Sequence, residues 1–143
     1  MSSGITETLT IETNKSLINE WEGQLLRLSM QKRLLQKHSS SDITNIHARY
    51  STQKEEIRNK ISALDDKGAT SEYQELMTEL HELEIQENNE VDYVERQMTE
   101  QEADIQVEID SLESRKEAAE KDTESLEEMR SENIKDSFGY FQT

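Results

Sequence analysis

Catalysis and metal binding need side chains that exchange protons, attack carbonyls or hold ions, and this chain carries an uneven stock of them. It has 32 aspartates and glutamates, three histidines and no cysteine. Without Cys there is no thiolate nucleophile, no disulfide framework and no Cys-ligated zinc. The histidines are His38, His47 and His81. A di-iron bundle site needs Glu three residues before His, supplied twice. The residues three before these histidines are Leu35, Thr44 and Thr78, so the pattern is absent. The Asp-x-Asp-x-Asp-Gly start of a calcium loop is also missing. Gly4, Gly23, Gly68 and Gly139 are scattered, so they form no phosphate-cradling loop. A carboxylate pair doing acid–base work needs a shaped cleft and shifted pKa values. The carboxylates read instead as solvated helix faces and the histidines as helix-surface residues. The expectation is therefore no enzyme, with no catalytic residue, no cofactor and no metal site.

The elements that would carry these side chains follow from composition. The chain has 143 residues, a net charge of −16 and only 31% hydrophobic residues. That is too little apolar material for a compact globular core. It leaves two outcomes, disorder or long helices that share a narrow apolar seam. The absence of Pro favours helices, because one internal Pro costs a helix about 3 kcal/mol. No apolar run reaches the roughly 18 residues of a membrane span. Met1-Ser2-Ser3-Gly4 lacks the basic and apolar regions of a signal peptide. The expected setting is inside a cell or within a particle, with no membrane contact. The negative charge argues against direct nucleic-acid binding, which is driven by cations.

Periodicity decides for helices. Ile11, Ile18, Trp21, Leu25, Leu28 and Leu35, with Asn14 and Lys32 filling in, recur in steps of three and four. Thr8 or Thr10 would cap this helix. Ser39-Ser40-Ser41-Asp42 weakens the pattern, since Ser favours caps and turns. Ile43, Ile46, Tyr50, Gln53, Ile57, Lys60 and Leu64 then resume it. Gly68 supplies the turn and Thr70 or Ser71 caps the next helix. Beyond it run Tyr73, Leu76, Leu80 and Leu83, a thin stretch around Glu87 to Glu90, and then Val91, Val94, Met98, Ile105, Ile109, Leu112, Ala119, Leu126, Met129 and Ile134.

The two arms flank Gly68 almost equally. This predicts an all-α fold, a long antiparallel coiled-coil helical hairpin, with a kink allowed near residues 39–42. The expected layout is an N-terminal tail over 1–8, a first arm over 9–67, a turn over 68–70, a second arm over 71–135 and an aromatic C-terminal tail over 136–143. The seam is assigned to Ile18, Trp21, Leu25, Leu28, Ile57, Leu64, Leu76, Leu80, Leu83, Ile105, Ile109, Leu112 and Leu126. Paired residue numbers should sum to about 135, as for antiparallel neighbours joined by a short turn. The competing layout bends the first arm at residues 39–42 into a three-helix arrangement. Charge supports the hairpin: residues 1–67 hold 10 basic and 9 acidic side chains, and residues 68–143 hold 6 and 23. Arg27, Lys32, Arg33 and Lys37 would lie opposite Glu95, Glu100, Glu102, Asp104 and Glu108. Such pairing sets orientation more than stability.

The chain ends Ile134-Lys135-Asp136-Ser137-Phe138-Gly139-Tyr140-Phe141-Gln142-Thr143 and keeps both of its Phe residues there. Aromatic side chains anchor interfaces. Ile134, Phe138, Tyr140 and Phe141 are therefore the expected partner-binding residues. An acidic coiled coil with this ending resembles the small coiled-coil structural proteins of tailed bacteriophage virions. The resemblance implies a minor virion component without catalysis, found in the virion or in the host cytoplasm. The chain departs from phage scaffolding proteins, whose C-termini carry a basic helix. The expected partners are other protein subunits with basic surfaces, together with further copies of the chain in a homo-oligomer. The other reading is a soluble acidic adaptor or assembly chaperone that binds a basic client.

Overall fold

The computed structural model describes the backbone of residues 2–65 and 70–141 and the side chains of residues 4–65 and 70–135. Two helices account for the fold: α1 spans Ser2–Ser62 and α2 spans Ser71–Phe141. They pack against each other as an antiparallel hairpin, with no strand among the described residues. Gly68 lies outside the described residues. The helix start on its far side is capped by Thr70, whose Oγ1 accepts the Tyr73 N–H at 3.3 Å. Glu72 stands in the first turn of α2, where the helix dipole favours a negative charge. At the other side, the Leu64 N–H donates to the Ile61 carbonyl at 3.1 Å, which tightens the end of α1.

α1 starts before the expected caps. Thr8 and Thr10 lie inside it, and their hydroxyls donate to the carbonyls of Gly4 and Thr6 at 2.8 and 2.9 Å. This i−4 back-bonding satisfies the hydroxyl without ending the helix. The helix also carries through Ser39–Asp42 without a break, so the three-helix layout does not form. Ser39 is buried, because the three-and-four stepping places it on the seam between Leu35 and Ile43. A small side chain there fits against α2. Tertiary packing thus overrides the preference of Ser for caps and turns.

The hairpin divides into two compact units, residues 1–31 with 104–143, and residues 32–103. In the first unit the buried apolar residues are Ile11, Leu28, Leu112 and Ala119. Ile18, Trp21, Leu25, Ile105, Ile109 and Leu126 are half-buried. Asn14 Nδ2 donates to Asp122 at 2.9 Å and Lys116 Nζ meets Glu22 at 3.4 Å. In the second unit Tyr50 and Ile57 are buried, and Leu64, Leu76, Leu80 and Leu83 are half-buried. Each fully buried Leu or Ile contributes about 1.5–3 kcal/mol. Lys116 with Glu22, and Gln36 with Glu102, give paired numbers that sum to 138, three beyond the expected value.

Candidate functional site

Polar side chains occupy seam positions that the apolar stepping would give to Leu or Ile. In the unit of residues 32–103, Glu87 falls in the slot after Leu83 and is buried. Lys54 Nζ donates to Glu87 Oε1 at 2.7 Å, and His47 Nδ1 lies 3.4 Å from Oε2. Lys54 is itself largely covered, with its side chain 14% exposed. Its hydrogen bond holds the Glu87 carboxyl below the usual carboxylate range; burial pulls the other way, and His47 adds to the lowering. One turn on, the Arg49 guanidinium bonds Glu90 and sits 5.2 Å from the centroid of the Tyr50 ring. Burial pushes the Tyr50 phenol up, and its hydrogen bond to Glu90 pushes the same way. The thin stretch of the apolar pattern is thus a bonded polar layer.

Beside this layer lies an open groove of about 590 Å³. α1 gives it Asp42, Asn45, Ile46 and Arg49, and α2 gives it Asn89, Glu90, Tyr93 and Val94. Each set follows helical three-and-four spacing, so each is one face of its helix. Tyr93 is 64% exposed, although an aromatic ring is costly to leave in water. Two smaller hollows continue past it along α2, reaching Arg96 and then Glu100.

In the unit of residues 1–31 and 104–143, Ile5, Leu9, Met129 and Ile134 are all more than half exposed. Nearby, Asn133 Nδ2 donates to the buried Glu7 at 3.2 Å. Of the expected partner-binding residues, Ile134 is 61% exposed. The side chains of Phe138, Tyr140 and Phe141 lie outside the described residues. Thr123 Oγ1 is buried and has no hydrogen-bond partner among the described residues.

The expected seam residues divide into the buried Leu28, Ile57 and Leu112 and a larger half-buried group. Sequence reasoning read Ser39 as part of a weak point and Glu87 as a thinning of the stripe, and passed over Glu7 and Thr123; all four are buried polar residues. The signal for Glu87 was its step of four from Leu83. Of the expected cross-helix charges, Glu102 accepts a 2.9 Å hydrogen bond from Gln36. Among the described residues, no group of three or more His, Asp or Glu side chains comes together to hold a metal ion. No described helix is long and apolar enough to cross a membrane. The chain matches no protein-family model, no curated protein and no solved structure.

Proposed function

We propose that this chain is a non-enzymatic structural subunit of a larger protein assembly, held there by its C-terminal end. The observation that carries this reading is apolar surface left open on both helices of the first unit: Ile5, Leu9, Met129 and Ile134. A two-helix seam cannot cover these side chains, and further helices from neighbouring subunits would. Phe138, Tyr140 and Phe141 follow Ile134 in sequence and supply the anchors such an interface uses. The resemblance to small coiled-coil proteins of tailed bacteriophage virions suggests the setting, a minor virion component made in the host cytoplasm. Other copies of the chain and subunits with basic surfaces are the proposed partners.

Removing residues 138–143 tests the reading. The truncated chain should keep its helix content by circular dichroism and lose incorporation into the particle. Unchanged incorporation would overturn the docking role of this segment. The acidity of α2 favours a second reading, a soluble adaptor or chaperone for a basic client. An adaptor is absent from the finished particle, whereas a structural subunit is present at fixed stoichiometry. Quantitative mass spectrometry of purified particles separates the two.

A further inference from the structure

The groove around Tyr93 has a floor and a sign. Its floor is apolar, made by Ile46 and Val94 with the exposed Tyr93 ring at its edge. The hollows that continue past Tyr93 reach Glu100. From Asn89 to Glu100 a helix rises on the order of 17 Å, about three turns. That is the footprint of a helix lying lengthwise, and is longer than a compact small molecule needs.

The sign is negative. Arg49 is committed to Glu90. Asp42 on one side and Asp92, Glu95 and Glu100 on the other meet Arg96 as the only basic residue among them. The bias comes from α2, which from Ser71 to Ala103 carries 11 acidic residues and, Arg96 apart, no Lys or Arg, whereas α1 from Lys32 to Ser62 carries seven basic and three acidic residues. A second copy of this chain brings the same excess of negative charge, so it is a poor fit to this face.

We infer that this groove is a docking site for a basic amphipathic helix of a partner protein. The apolar side of that helix would cover Tyr93, Ile46 and Val94. Its Lys and Arg side chains would reach Asp42 on one flank and the Asp92-to-Glu100 run on the other. Helix-in-groove recognition of this kind takes its affinity from apolar anchors and its partner choice from charge. The inference gives a place to the basic partner of the assembly reading and rests on that reading only in making the occupant a protein. Incorporation of the truncated chain tests the assembly reading, and peptide titration of the intact chain tests this one.

The probe is a fluorescein-labelled amphipathic Leu/Lys helix of about 18 residues, roughly 27 Å long as a helix and so longer than the footprint it must cover. Its control keeps every Lys and replaces each Leu with Gln. Fluorescence anisotropy with the full chain should show the Leu/Lys helix binding about tenfold or more tightly than the control, as an anchored contact does. Tyr93→Ala should remove most of that difference, and because Tyr93 is exposed the fold should tolerate the change. Asp42→Lys should weaken binding more than Glu113→Lys, a change of equal charge in the other unit. Equal binding of both peptides, or equal loss in the two charge variants, would reduce the contact to diffuse attraction and overturn the site. No loss on Tyr93→Ala would overturn it as well. Sedimentation showing that the chain alone forms a dimer abolished by Tyr93→Ala would assign the groove to a second copy and overturn the basic-helix occupant.

Discussion

At the scale of single residues, the polar groups inside the seam do different work. Glu87 is stabilised as an anion by Lys54, with His47 close by. Its native pKa lies below its unfolded value near 4.3, so the native state binds fewer protons in acid. The stability this pair contributes is complete above about pH 4.3 and is lost as the pH falls through the native value. Lys54→Met removes the partner and leaves Glu87 covered. The variant should lose roughly 1–2 kcal/mol near neutral pH, less than a fully buried pair because both groups keep some contact with water. The difference from the parent chain should shrink as the pH falls below about 4.3, as urea titrations at several acidic pH values would show. Thr123 is the opposite case. Its buried hydroxyl has no partner among the described residues, whereas Thr8, Thr44 and Thr99 bond the carbonyl four residues back. Thr123→Val keeps the shape and removes the unmet group. It should leave stability unchanged or raise it by about 1 kcal/mol, read from the urea midpoint.

At the scale of elements, α1 outlasts local signals that would end it. Gly23 sits within α1 at a negative φ, and a methyl group added there meets nothing within 4 Å. Gly23→Ala should therefore raise stability by about 0.5–1 kcal/mol through reduced unfolded-state entropy. A fall in thermal midpoint would mean that the added methyl strains the seam. The element pattern was largely legible in the sequence, because three-and-four stepping of Leu and Ile is the direct imprint of a helix with one covered side. The start of α1 was not. Thr8 and Thr10 carry the chemistry of caps, and a sequence does not reveal whether such a hydroxyl will bond forward to a free N–H or back to a carbonyl. Packing of the first turns on the end of α2, marked by Asn133 on Glu7, goes with the second choice.

At the scale of the whole molecule, net charge opposes compaction. The excess charge lies on the second arm, where residues 68–143 hold 23 acidic and 6 basic side chains, and these carboxylates repel one another. Salt should therefore stabilise the isolated chain. The thermal midpoint should rise between about 10 mM and 0.5 M sodium chloride, where the screening length drops to a few ångströms. An unchanged or falling midpoint would mean that cross-helix ion pairs outweigh the repulsion. The same excess of charge makes a basic partner favourable, so the midpoint should also rise when the Leu/Lys helix is bound.

The sequence by itself determined the fold class, the helical periods, the antiparallel hairpin and the lopsided charge. These depend on composition and spacing, which neighbours in space do not alter. Only the tertiary structure decided which polar residues are buried. Glu87, Glu7, Ser39 and Thr123 sit at helical steps from seam residues, but their polar side chains do not say whether a second helix covers them. Tertiary structure also made the groove at Tyr93, because a groove needs two helix faces at a fixed register. At that register Lys54 and His47 of one helix meet Glu87 of the other, a pairing that the spacing within either helix does not specify.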